Sequence, residues 1–192
     1  MTIEEAIKQR HSVRKYIHKP LSTEVVRALE EKILECNKEG GLHIQLVTQE
    51  TKAFSGIMSY GKFHGVENYL VMAGQKADNL DERIGYYGEQ LVLLAQALGL
   101  NTCWAGLSYR KVNGAYKIEK GEKLTCMIAL GYGESQGVSH KIKTMEQVSN
   151  ATSNSPSWFR KGVEAALLAP TAINKQKFSF FLQDQKGTKV GC

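Results

Sequence analysis

Residues 9–20 read QRHSVRKYIHKP, and Arg10, His11, Ser12, Arg14 and Lys15 crowd into six of those positions. Guanidinium groups on either side of a small hydroxyl do one of two things. At the end of a helix, cations favour the partial negative charge of the last carbonyls, and the run is a solvated terminus. Alternatively, Arg10 and Arg14 fork onto phosphate oxygens while Ser12 donates to a remaining lone pair. Basic clusters are common surface features, so the run alone does not choose.

A second polar loop, PTAINKQK at 170–177, offers Thr171 as a hydroxyl and Asn174 and Gln176 as neutral amides, each able to donate and accept. It either caps the preceding helix or presents these groups to a ligand. His11, His18, His43, His64 and His140 are scattered with no pair at metal-ligand spacing. No Ser/His/Asp or Cys/His arrangement suggests a nucleophile, so no side chain is assigned as catalytic.

The elements that must position these residues follow from periodicity. MTIEEAIKQR is an amphipathic helix over 2–10, with Thr2 and Glu5 in capping-box positions. A second helix follows Pro20, capped by Ser22, with Val25, Val26, Leu29 and Ile33 on one face. LHIQLVT (42–48) alternates as a half-buried strand, and NYLVMAG (68–74) is the apolar run of a central strand. Ile84, Leu91, Leu94, Ala95 and Leu98 mark a long helix that Gly99 stops. Strands are expected at 101–106 and from 122 into a glycine turn at 134. SNATSNSPS (149–157) reads as a linker, PSWFRKGVEAALLAP as a helix bounded by Pro156 and Pro170, and FSFFL (178–182) as a closing strand. The plan of helix, polar loop and alternating strand occurs twice, at 29–50 and 163–185, as a repeat or as two instances of a common connection. The expected organisation is one domain over 1–192: a core at 1–148, the linker at 149–157, and a C-terminal helix, loop and strand at 158–192.

The chain has 192 residues, 42% hydrophobic and 23% charged, which is the profile of an ordinary globular domain with a substantial core. A net charge of +6 suits an anionic ligand such as a phosphorylated cofactor. Charge alone admits nucleic acid, but no zinc-finger spacing, basic zipper or basic–aromatic RNA-binding motif accompanies it. The longest apolar run, LLAQALGL, is far short of a membrane span. Cys36, Cys103, Cys126 and Cys192 show neither CxxC nor disulfide-scaffold spacing, which reads as reduced thiols in the cytoplasm.

Four segments together resemble the FMN-dependent nitroreductases: RHSVRKY (10–16), GEQLVLLAQALGLNTCWAG (88–106), IALGYGE (128–134) with HKIK (140–143), and LLAPTAINKQKF (167–178). The last is similar to the family's cofactor loop, but it lies late in the chain. In most members that loop follows the second helix, where this chain has ECNKEGGLH. The late placement resembles the branch called putative TM nitroreductases.

The resemblance implies an α+β fold, a nitroreductase-like mixed sheet flanked by helices, and FMN as cofactor. It assigns Arg10, His11, Ser12 and Arg14 to the flavin phosphate and ribityl chain, with Lys141 or Lys143 closing from the far side. It assigns backbone N–H groups of Ala105 and Gly106 to the N5 and O4 edge, and Thr171, Asn174 and Gln176 to the pyrimidine edge. The implied reaction is a ping-pong transfer from NAD(P)H to a nitroaromatic, quinone or similar acceptor. The alternative is a flavin- or phosphate-ligand-binding module without turnover, because Lys177 and Phe178 replace the loop's usual proline and tryptophan. The family's flavin lies at a dimer interface. The implied assembly is therefore a homodimer, or an intrachain pseudo-dimer in which the C-terminal loop stands in for a partner's.

Overall fold

Thr2 and Glu5 close the first helix as their spacing requires. The Glu5 N–H donates to Thr2 Oγ1 (3.2 Å), and the Thr2 N–H donates to the Glu5 carboxylate (2.8 Å). Helix α1 then runs Ile3–Gln9. The computed structural model describes residues 1–55 and 62–183. Within it the chain divides into two units, Met1–Val138 and Ser139–Cys192.

In the first unit, α2 (Thr23–Gly40) starts at Ser22, whose hydroxyl accepts the Val25 N–H (3.3 Å). It is followed by β1 (Gln45–Val47), β2 (Asn68–Gln75), α3 (Leu80–Ala97), β3 (Asn101–Ala105) and β4 (Glu122–Gly131). The sheet order is β1-β2-β4-β3, every neighbouring pair antiparallel. The parallel part of the expected mixed sheet is confined to single bridges, Ser12 with Thr102 and Lys15 with His64. Strand β1 is shorter than the alternation at 42–48 predicts. The Asn37 side chain accepts the Ile44 N–H (2.7 Å) and donates to its carbonyl (2.9 Å), which takes that backbone out of the ladder.

The continuous apolar run of β2 has a simple cause, since both faces of the sheet are covered. Leu70 and Met72 face α2 and α3, packing with Leu29, Ile33, Leu91 and Ala95. The alternate residues Tyr69 and Val71 face Tyr16, Phe54 and Val66 on the other side. Fully burying a side chain of this size stabilises by about 1.5–3 kcal/mol, so this strand anchors the unit.

The second unit contains α4 (Met145–Val148), α5 (Ser157–Leu168) and one 3₁₀ turn, Ala172–Asn174. Phe159, Val163 and Leu167 form one buried stripe of α5 against Val148, with Phe178 and Phe180 packed beside them. Two expectations are corrected. The segment 178–182 is not a strand: Phe180 makes one isolated bridge with Ser149, and the described residues of this unit offer no strand for a longer ladder. The polar stretch 149–157 lies inside this unit and does not bound it. Asn150 donates to the Leu182 carbonyl (3.2 Å) and accepts the Leu182 N–H (2.9 Å). The two instances of the helix–loop–strand plan therefore differ, since α2 leads into a paired strand and α5 into a single bridge. The tail GTKVGC lies outside the described residues.

Candidate functional site

The basic segment after α1 is extended backbone held on three sides. The Val13 N–H donates to the Thr102 carbonyl (3.0 Å), the Tyr16 N–H to the His64 carbonyl (3.0 Å), and the Glu134 N–H to the Lys15 carbonyl (3.0 Å). The buried Tyr16 hydroxyl donates to the Val13 carbonyl (2.6 Å). Glycines allow the turn at 133–137 to close on this segment. A Cβ on Gly133 would stand 2.8 Å from a Val13 methyl, and one on Gly137 would stand 2.7 Å from the His11 Cβ. The result is an open hollow of about 410 Å³ lined by Ser12, Arg14, Lys15, Ser135 and Val138, with Glu134 on its wall. Glu134 is within ion-pair distance of His64 (3.8 Å), and Arg14 is exposed.

Arg10 is placed differently from Arg14. It is only 4% exposed, and its Nε lies 3.6 Å from Glu89 Oε1. Glu89 also accepts the Trp104 indole N–H (3.1 Å). Burial raises the Glu89 carboxyl above its usual range, while Arg10 and the Trp104 hydrogen bond pull it back. Burial likewise pushes the Cys103 thiol up, partly offset by Arg14, the Ser12 hydroxyl and Arg10. These three residues thus converge on one point of β3.

Strand β3 is an edge strand, and the direction of its amides follows from the Val13 bond. Thr102 directs its carbonyl to the edge away from β4, so two-residue alternation puts the backbone of Trp104 on that edge as well. Ala105 pairs instead with Met127 of β4. Of the two amides expected from the sequence, Ala105 closes the strand and Gly106 lies in the bend after it, while the Trp104 backbone takes the edge. Sequence alone could not show this, because it depends on which neighbour pairs on each side.

The second unit assembles the remaining residues. Gln176 is 3% exposed; its Oε1 accepts the Lys143 N–H (2.9 Å) and its Nε2 donates to the Lys141 carbonyl (2.8 Å). Asn174 Nδ2 donates to the same carbonyl (2.9 Å), and Thr171 Oγ1 accepts the Gln176 N–H (3.1 Å). The Lys143 ammonium donates to the Gln176 carbonyl (2.8 Å), whereas the Lys141 side chain is exposed. The residues singled out in sequence therefore divide between the two units: Arg10, His11, Ser12, Arg14, Ala105 and Gly106 in the first, and Lys141, Lys143, Thr171, Asn174 and Gln176 in the second.

As a donor set, the first cluster fits an anionic group beside a planar one. It has an exposed guanidinium, a hydroxyl and an ammonium around a hollow, and open-edge amides farther along the same strand. A separate hollow of about 700 Å³ has walls of Phe54 and Phe63 and is rimmed by the His18–Glu67 pair (2.6 Å). Among the described residues no cluster of His, Cys, Asp and Glu could hold a metal ion, and no helix is long and apolar enough to cross a membrane.

Comparison with known proteins bears on the family and the fold. The family described as putative TM nitroreductase matches residues 2–192. A putative nitroreductase from Thermotoga maritima is 23% identical, with a TM-score of 0.64 over 95% of this chain and 72% of its own. A putative nitroreductase from Desulfovibrio desulfuricans, solved in complex with FMN, is 18% identical, with a TM-score of 0.59 over 77% of this chain and 95% of its own. An FMN-dependent nitroreductase from Clostridium difficile is 18% identical, with a TM-score of 0.55 over 71% of this chain and 90% of its own. At these identities the likeness establishes the fold. No curated protein matches the chain.

Proposed function

The chain belongs to the putative TM nitroreductase family, and from that premise we propose that it is an FMN-dependent oxidoreductase. It takes electrons from NAD(P)H and passes them to a nitroaromatic, quinone or similar acceptor in alternating half-reactions. The observation that carries this reading is the register of Ser12 on Thr102. It lays the cationic segment beside β3, so that donors for a phosphate next to Thr102 and the edge backbone of Trp104 stand two residues of strand apart, about 7 Å.

When bound, FMN supplies the two-electron redox chemistry. The chain's own residues bind and orient it. Arg14 and Ser12 hold the phosphate by charge-assisted hydrogen bonds, and Lys15 adds positive field at the same hollow. Arg10, fixed by Glu89, contributes charge from behind β3, and His11 serves as a spacer on the ribityl side. The backbone N–H groups of Trp104, on the edge of β3, and of Gly106, in the bend after it, would donate to the ring edge, where negative charge would accumulate on reduction. Cys36, Cys103 and Cys126 are free thiols, which suits a cytoplasmic setting. Light scattering over a range of concentrations distinguishes a homodimer from a monomeric pseudo-dimer.

The deciding experiment is the absorption spectrum of the purified protein with added FMN, followed by NADH or NADPH and then a quinone. Flavin bands that bleach with nicotinamide and return with quinone support the proposal. A protein that binds FMN but does not bleach is the non-catalytic binding module, and one that binds none at micromolar concentration overturns the flavin reading.

A further inference from the structure

The hollow of about 700 Å³ beside the basic segment lies wholly within the first unit, and its size falls in the range of small-molecule sites. We infer that it binds a small planar ring compound carrying one carboxylate, with the ring against Phe63 and the carboxylate on the Lys62 ammonium. Neither residue has a part in the FMN reading, so this inference does not rest on it.

The walls are fixed by the chain itself. The His64 N–H donates to the Arg14 carbonyl (2.9 Å) and the Tyr16 N–H to the His64 carbonyl (3.0 Å), which straps 63–66 to the basic segment. Gly65, with φ of 68°, lets these two stretches close, since a Cβ there would collide with the Tyr16 carbonyl oxygen. A second stretch, 50–55, is pinned by the Glu50 carboxylate. It accepts the N–H groups of Lys52 (2.7 Å) and Ala53 (2.9 Å) and the Tyr69 hydroxyl (3.0 Å). That stretch carries Phe54, which is buried, and Phe63 leans on its ring with centroids 4.9 Å apart at 60°. Phe63 itself is half-buried, so a ring backed by another keeps surface toward the hollow. A wall ordered in advance spares a ligand the cost of ordering it, and an aromatic wall favours an aromatic partner.

The charges then choose among ring compounds. Two carboxylates reach the hollow, and each is turned to an imidazole: Glu67 lies 2.6 Å from His18 Nδ1, and Glu134 lies 3.8 Å from His64 Nδ1. Lys62 lines the same hollow, and among the described residues its ammonium has no ion-pair partner. Lys15, on the border with the smaller hollow, has none either. An ammonium left without a counter-charge is matched by a ligand carboxylate through a charge-assisted hydrogen bond. The two rim carboxylates repel a polyanion, which limits the ligand to a single negative group.

Naphthoate and the uncharged naphthylmethanol share one ring system and differ in the charge, which makes the inference testable. Each is titrated by calorimetry into the full chain as purified, and again after saturation with FMN. Naphthoate is expected to bind in both conditions with a Kd of about 10 μM to 1 mM, and the alcohol about tenfold more weakly. Lys62→Ala should lower naphthoate affinity about tenfold and leave the alcohol unchanged, whereas Phe63→Ala should weaken both. Phe63→Leu, which keeps the apolar volume and loses the ring, serves if the alanine variant does not fold. Equal affinity for the two probes, unchanged naphthoate affinity in Lys62→Ala, or no binding tighter than about 1 mM would overturn the inference. Loss of naphthoate binding on FMN saturation would give the hollow to the flavin and overturn it too. Failure of the FMN reading looks different: no flavin binds, and naphthoate still does.

Discussion

Arg10 and Arg14 are four positions apart in one motif, yet the fold gives them different work. Arg14 is exposed beside the hollow, so Arg14→Ala should weaken FMN binding by about 1.5–3 kcal/mol, measured by fluorescence titration. Unchanged affinity would remove Arg14 from the phosphate site. Arg10 is buried against Glu89, and removing that carboxylate takes away the counter-charge that lies 3.6 Å from its Nε. Breaking a fully buried pair costs about 3–5 kcal/mol; because the Glu89 side chain keeps 28% exposure, Glu89→Ala should cost roughly 2 kcal/mol in denaturant unfolding. The raised Glu89 pKa also sets a pH dependence of definite sign. The folded state holds this proton more tightly than the unfolded chain. The resulting stabilisation is complete below the ordinary carboxylate range and is lost as pH rises through the raised value. The stability of wild type relative to Glu89→Gln should therefore fall across that window, and a constant difference would contradict the assignment.

At the scale of elements, α3 and β3 are locked together by a glycine that looks unremarkable in sequence. A Cβ on Gly88 would collide with the Trp104 ring and stand 2.9 Å from the Met72 methyl. Gly85, one turn earlier on the same helix, has open space at that position. Helix propensity alone favours alanine at both by about 0.8–1 kcal/mol. Gly85→Ala should accordingly stabilise by up to that amount. Gly88→Ala should destabilise by about 1–2 kcal/mol, because overpacking outweighs propensity where an indole held by Glu89 cannot move aside. Thermal melts of the two variants displaced in opposite directions would support this reading; shifts of the same sign would show that Trp104 yields.

For the whole molecule, the net charge of +6 predicts how an anionic cofactor arrives. Exposed charges act over about 8–10 Å at physiological salt and over about 30 Å at 0.01 M. The FMN association rate should drop steeply between those conditions in stopped-flow fluorescence, while that of uncharged riboflavin stays nearly flat. Equal salt dependence for both would mean the field does not steer the ligand. The sequence sets a C-terminal segment apart from the core at 149–157, and the chain divides into two units at Val138 and Ser139. The polar composition of 149–157 reads as a connector. Its Ser and Asn side chains instead satisfy backbone groups across the unit, as Asn150 does for Leu182, and composition does not distinguish a solvated linker from an internally hydrogen-bonded turn.

Local patterns were enough for whatever depends on neighbours in the chain: the caps at Thr2 and Ser22, the helix ended at Gly99, the buried strand at 68–74, and the residue types able to hold a phosphate. Their physics is short-ranged and is written in spacing. Only the tertiary structure decided which of those groups are available. It turned Arg10 inward to Glu89, made β3 the edge strand beside β4, and engaged the Gln176 amide with the backbone of Lys141 and Lys143. Whether a donor faces a ligand or another part of the chain depends on partners far away in sequence, so the residue type names a capacity and the packing determines its use.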